Sequence, residues 1–167
     1  NVIRKSVEPK WFSAENVGSI TSSNEGKAFK VILNDLRSSG YQIIAHKFKF
    51  EEYGVPQARH RVIIVGFRDD LNLEYRVPVP LQTKVTAGQA LANIPAWAKN
   101  NELTKQSARV VERLSYIKPG QNAWNSDLPE DLKLNVPNTK LSHIYKKLDP
   151  TLPAYTVTGS GGGGTHM

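Results

Sequence analysis

The sequence predicts an α/β fold, a sheet covered by helices, followed by a smaller irregular unit. Three features carry this expectation. One well-patterned helix lies between two β-rich runs, a continuous apolar run follows after a turn, and the second half breaks into short pieces punctuated by Pro, Gly and Asn.

The first strand is expected in KWFSAEN, where Trp11, Phe12 and Ala14 precede a polar end at Glu15 and Asn16. It reads as short and buried. In SSNEGKAFKVILNDLRSSGYQ, residues Ala28, Phe29, Ile32, Leu33 and Leu36 recur at helical spacing, with Ser23 or Asn24 as the cap and Gly40 at the C′ position. YQIIAHKFKF is β-rich and alternates through Ile44, Phe48 and Phe50, EEYGVPQ turns, and RVIIVGF has the continuous apolar character of a fully buried strand. Only a short loop joins these last two strands, which predicts an antiparallel pair. Beyond Asp70, YRVPVPLQ reads as a connection, TAGQALANIP and SARVVERLSYI as short helices, and KPGQNAWNSDLPEDLKLNVPN as turn-rich. HIYKKLD and AYTVT are candidate short strands. The boundary is expected near Val79, giving an α/β part over residues 1–79 and an irregular part over 80–167.

Bulk properties exclude several classes. The chain has 167 residues and no cysteine, which rules out a disulfide framework, a thiolate metal site and a cysteine nucleophile within it. His46, His60, His143 and His166 show no ligand spacing, so no metal is expected. No apolar run approaches the roughly 20 residues of a membrane span, and NVIRKSVEPKWF lacks the apolar core of a signal peptide. A cytoplasmic setting is the default. An Asn at position 1 points to a piece of a longer chain. The formal net charge of +7 and a pI near 9.6 favour approach to a polyanion, because each neutralised phosphate releases counterions.

Two places could carry chemistry. Glu15 and Asn16 stand at a strand end, where open α/β sheets place ligand crevices; a carboxylate there can exchange a proton with a heteroaromatic ring or simply cap the next turn. In PQARHRVIIVGF, Gln57, Arg59 and Arg61 are spaced two apart, so an extended backbone would turn an amide and two guanidiniums to one face. Arg suits bidentate contacts to phosphate or base edges, although a solvated basic strand end has the same spacing. Tyr145, Lys146 and Lys147 mix aromatic and basic character, as nucleic-acid surfaces do and as solvent-facing strands also do. No phosphate-cradling glycine motif is present.

Taken in order, WFSAENV, then YGVPQARHRVIIVGFR, then YIKPGQNAW, DLPEDL and HIYKKLDPTLPAYTVTGSGGGGTH resemble the middle and later portion of the cytosine-specific, carbon-5 DNA methyltransferases. The resemblance covers nearly the whole chain and rests on the Glu-Asn-Val and Gln-x-Arg-x-Arg motifs. It implies part of a Rossmann-like S-adenosylmethionine-dependent methyltransferase domain, followed by a truncated target-recognition region. It also implies that Glu15 holds a flipped-out cytosine by its ring nitrogen and amino group, with Asn16 and Val17 shaping that backbone. Arg61 would meet the cytosine carbonyl, Arg59 would support the site and Gln57 the local fold. Thiolate attack on carbon 6 drives electrons toward ring nitrogen 3, where a carboxyl stabilises the developing charge, and the base must leave the duplex to be reached.

The departures limit what the chain can do alone. The family's nucleophilic Cys, its glycine-rich cofactor loop and its later Thr-x-Arg-Glu motif are missing from these residues. The expectation is therefore a fragment, inactive by itself, whose partners are double-stranded DNA, the remainder of the enzyme or a complementary subunit, and a restriction endonuclease system. Its setting would be the cytoplasm of a bacterium or phage host, or the nucleus of a eukaryote. The alternative is a non-catalytic DNA-binding subunit or degenerate homologue. Lys118, Gln121, Lys140 and Lys146 are DNA-contact candidates. Gly161 and Gly162, in a run with the composition of a linker, resemble native backbone able to approach phosphates closely. Gly161 to Gly164 are expected to be mobile in isolation.

Overall fold

The computed structural model describes residues 8–102, 105–134 and 142–157. Its elements are β1 (Trp11–Val17), α1 (Lys27–Arg37), β2 (Tyr41–Lys49), β3 (Gln57–Ala58), β4 (His60–Arg68), α2 (Ala87–Leu91), α3 (Ala108–Ser115) and β5 (Ala154–Tyr155). The chain divides into two compact units, Asn1–Gly54 with Arg59–Thr83, and Val55–Ala58 with Lys84–Met167.

The first unit is a three-stranded sheet in the order β1-β4-β2, with β4 antiparallel to both neighbours. The expected antiparallel pairing of the last two strands is present, and β4 is central because its continuous apolar run suits a strand flanked on both sides. Val62, Ile64 and Val65 are buried. On one face Phe12, Tyr41, Ile43, Val62 and Ile64 meet Phe29, Leu33 and Leu36 of α1. Ile32 and Ala28 share the helix but stay exposed.

Four local expectations need correction. β1 is not buried: it is the sheet edge, and of its residues Phe12 packs on the core under α1, leaving six of its seven residues exposed. The cap of α1 is Gly26, not Ser23 or Asn24. Asn24, Glu25 and Gly26 all have positive φ, so the backbone winds the wrong way to begin the helix before Lys27. At the other end Ser38 is the C-cap, and Gly40, at φ +84°, closes the turn two residues later through its N–H to the Arg37 carbonyl at 3.0 Å. Phe50 lies in a 3₁₀ turn, Phe50–Tyr53, beyond the end of β2.

The second unit is built from short elements. α2 starts with a reciprocal capping box in which the Gln89 N–H donates to Thr86 Oγ1 at 3.2 Å and the Thr86 N–H to Gln89 Oε1 at 2.9 Å. Leu114, Ile117, Ala123 and Leu128 form a core, with Val110, Leu134, Ile144 and Tyr145 packed on it. β3 and β5 make a two-stranded parallel pair, so AYTVT contributes a strand of two residues. HIYKKLD forms a turn and an isolated bridge at Lys146, not a strand. Tyr145 has φ 49°, and a side-chain-bearing residue in the left-handed region breaks an extended run. No helix among the described residues is long and apolar enough to cross a membrane.

Candidate functional site

Strand register brings the two sequence-predicted charges together. Glu15 sits opposite Ile63 and Arg61 opposite Val17, so alternation places both side chains on the sheet face away from α1, one diagonal step apart. Arg61 Nε donates to Glu15 Oε1 at 2.7 Å, and Arg61 Nη1 donates to the His60 carbonyl at 2.7 Å. The Arg61 side chain is 15% exposed and that of Glu15 54%, so Arg61 is held inside the sheet end while Glu15 opens to incoming groups. Phe48 lies opposite Arg61 on the same face and stacks edge-on with His46 at 4.7 Å and Tyr53 at 5.2 Å, giving the charge pair an aromatic flank. Farther along this face Trp11, Ser13, Ile63, Val65, Phe67 and Tyr75 line a cavity of about 470 Å³.

The remaining members of the two motifs behave differently. Asn16 Oδ1 accepts from the Val17 N–H at 2.8 Å, turning the chain as β1 ends. Val17 is exposed. Gln57 pairs with Ala154 in the two-stranded sheet, whereas Arg61 lies in the three-stranded one. The three residues do not share one strand: Gln57 is in β3, Arg61 in β4, and Arg59 falls between the two. The Arg59 carbonyl accepts from the Phe50 N–H at 3.1 Å.

Sequence reading passed over Glu51. It is 5% exposed and accepts from His60 Nε2 through Oε1 at 2.9 Å. Its position nine residues before His60 carries no periodic signal, and only the backbone hairpin makes the two meet.

In the second unit, two basic segments are stapled side by side. The Gly120 N–H donates to the Lys147 carbonyl at 3.1 Å, the Lys147 N–H to Gln121 at 2.9 Å and the Ala123 N–H to Ile144 at 3.2 Å. Asn122 Nδ2 adds a bond to the Ser142 carbonyl at 2.9 Å. Lys118 is exposed beside this pairing. Gln121 Oε1 accepts from Ser126 Oγ at 3.1 Å, and Lys146 Nζ stands 4.6 Å from the centre of the Tyr155 ring, whose hydroxyl donates to the Lys146 carbonyl at 2.8 Å. Lys140, Gly161, Gly162 and the rest of the Gly161 to Gly164 run lie outside the described residues.

With this geometry in place, known proteins supply the decisive comparison. The family model for C-5 cytosine-specific DNA methylases matches residues 2–161. The chain belongs to that family. A Type II methyltransferase of Brevibacillus brevis, M.BbvI, is 55% identical over 163 residues, which is 95% of this chain and 44% of that protein. M.NgoFVII, a Type II methyltransferase of Neisseria gonorrhoeae, is 41% identical over 167 residues, again 95% of this chain and 44% of the relative. The chain thus spans less than half the length of these two methylases. In fold it is similar, at a TM-score of 0.64 and 19% identity, to a crystal structure assigned as a prophage-encoded DNA modification methyltransferase of E. coli, covering 92% of this chain and 54% of that one.

Methylases of this family generally use S-adenosylmethionine. β1 runs into Gly-Ser-Ile-Thr, β2 into Phe-Glu-Glu-Tyr and β4 into Asp-Asp-Leu. None is the glycine-rich strand-to-helix turn that lets backbone approach a nucleotide cofactor.

Proposed function

We propose that this chain is the base-gripping and DNA-facing portion of a DNA (cytosine-5-)-methyltransferase that acts on a cytosine flipped out of double-stranded DNA. The observation that carries this reading is the Glu15–Arg61 pair at 2.7 Å. A carboxylate and a guanidinium at that separation match adjacent polar atoms on one edge of cytosine: Glu15 takes ring nitrogen 3 and the amino group, Arg61 the neighbouring carbonyl. Arg59 backs the pair, and Asn16, Val17 and Gln57 fix the backbone on either side. Attack of a thiolate on carbon 6 would push charge toward nitrogen 3 and the carbonyl, where the Glu15 carboxyl, protonated when the base is bound, donates its proton to nitrogen 3 and the Arg61 guanidinium faces the carbonyl. With no cysteine in this chain, the thiolate comes from elsewhere in the enzyme, as does the site for S-adenosylmethionine, and the chain alone is inactive. Residues 80–167, whose paired segments carry Lys118, Gln121 and Lys146, are the target-recognition region; Lys140, Gly161 and Gly162 belong to the same assignment. A Type II system pairs such an enzyme with a restriction endonuclease.

The test is methyl transfer to a cytosine-containing duplex by the full-length polypeptide, with Glu15→Gln beside it. Losing the carboxylate should lower kcat by about 10²- to 10³-fold, the usual cost of removing one preorganised transition-state contact. Full activity in Glu15→Gln removes the assignment. A full-length wild-type protein that binds duplex DNA and transfers no methyl group supports instead the non-catalytic DNA-binding subunit, the reading favoured by the +7 charge and the missing Cys.

A further inference from the structure

The segment Arg59-His60-Arg61 is gripped from both faces of the sheet. Register places His60 opposite Lys49, on the α1 face, and Arg61 opposite Phe48, on the other. On the α1 side Glu51 reaches back from the turn after β2 and its Oε1 accepts a hydrogen bond from His60 Nε2 at 2.9 Å, while the Phe50 N–H donates to the Arg59 carbonyl at 3.1 Å. Gly18, three residues past Glu15, packs beside the same residue, a Cβ there falling in ordinary contact at 3.6 Å with His60 Cβ and its carbonyl oxygen. That same carbonyl accepts Arg61 Nη1, whose guanidinium reaches Glu15. Two sets of contacts thus meet at one residue: Glu51 on the His60 ring, and Arg61, bound to Glu15, on the His60 carbonyl.

A carboxylate 5% exposed is a costly thing to bury, and it persists in folds where it is paired and hydrogen-bonded. An apolar residue would fill the same space without desolvation cost. What the carboxylate adds is a tether, tying the turn after β2 to the residue whose backbone carbonyl anchors Arg61. Outer groups that orient a functional side chain in this way commonly matter nearly as much as the side chain itself.

We propose that Glu51 is a positioning residue, acting through His60 to hold Arg61 in the orientation that meets Glu15. The proposal rests on the function assigned to Arg61 above only for its effect on turnover; the structural coupling stands without it. The experiment uses the full-length protein with isotope-labelled arginine, the Arg61 Nε–H resonance being identified by its loss in Arg61→Lys. Glu51→Leu, which keeps the buried volume apolar, and His60→Gln should each move that resonance toward the position of unpaired arginine. They should also lower kcat for methyl transfer on the order of 10- to 100-fold, with KM for DNA changed less than about twofold. Glu51→Gln, which can still accept from the His60 ring, should restore most of both readouts. An unmoved Arg61 resonance in folded Glu51→Leu and His60→Gln overturns the proposal, and a moved resonance with unchanged kcat supports the coupling while overturning the part given to Arg61 in turnover. If the wild-type protein transfers no methyl group, the functional reading fails while the resonance still decides whether Glu51 positions Arg61.

Discussion

A single missing Cβ shows how tightly the first unit is packed at residue scale. Gly66 lies in β4 opposite Phe12 and Ile43, and a Cβ on it would stand 2.3 Å and 2.5 Å from Phe12 ring atoms and 2.9 Å from Ile43 Cδ1. Its φ is not in the left-handed region, so the glycine is there for space and not for backbone freedom. The Phe12 ring cannot retreat freely, since it packs edge-on against Tyr41 at 5.3 Å and Tyr41 in turn donates its hydroxyl to the Pro9 carbonyl at 2.9 Å. Gly66→Ala should therefore destabilise the protein by about 1 to 3 kcal/mol, the usual cost of overpacking, read as a lower denaturant midpoint with an unchanged slope. A change within about 0.5 kcal/mol, typical of a surface substitution, would show that the Phe12 ring can move aside. The contrast with Glu15 and Arg61 is instructive. Their chemistry was visible as motifs, whereas the close approach at Gly66 was hidden inside an apolar run, because sequence shows which atoms are absent but not what lies opposite.

Elements of the second unit are joined by side chains more than by ladders. Arg113, in the last turn of α3, is 7% exposed, donates Nε to the Leu132 carbonyl at 2.6 Å and lies 5.4 Å from the centre of the Tyr145 ring. One buried guanidinium thus ties a helix to two loops that have almost no regular structure of their own. Arg113→Met keeps much of the stem's packing but strands the Leu132 carbonyl and removes the ring contact. It should cost about 1.5 to 3 kcal/mol, the range for a hydrogen bond to a charged group, seen in thermal or denaturant unfolding. A neutral effect would mean that water replaces the guanidinium. The α3 helix was legible in SARVVERLSYI because its apolar residues keep helical spacing, and α1 and β4 were legible for the same periodic reason. What was not legible was set by contacts between distant residues: the exposure of β1, which follows from its edge position, the left-handed start before α1, and the passage of the chain from one sheet to another at Arg59. The Glu51–His60 contact belongs to the same class, since it depends on where a hairpin returns.

At the scale of the whole molecule, charge is the property that a long polyanion would sense first. The net charge of +7 arises from 22 Lys and Arg against 15 Asp and Glu, and part of the basic excess is already committed: Arg61 to Glu15, Arg68 to Asp70, Lys133 to Glu130 and Lys49 to Glu52. Lys118 stands exposed beside the backbone staple between residues 120–123 and 144–147, and Lys146 presents its ammonium over Tyr155. If these lysines meet phosphates, each contact releases counterions, and log affinity falls linearly with log salt by about 0.9 per phosphate on duplex DNA. Lys118→Ala should then weaken binding of this chain to duplexes of any sequence alike and make the salt dependence shallower by about 0.9. Titrating a labelled duplex at several salt concentrations reads both quantities. A sequence-dependent loss would turn Lys118 from a phosphate contact into a base contact, because base edges carry the sequence and phosphates do not. An unchanged slope and affinity would remove Lys118 from the interface altogether. Lys146→Ala is the sharper comparison: its ammonium is held against an aromatic face, so its removal should disturb the Tyr155 side of the staple as well as affinity and slope, whereas Lys118→Ala should change affinity and slope and leave the staple intact.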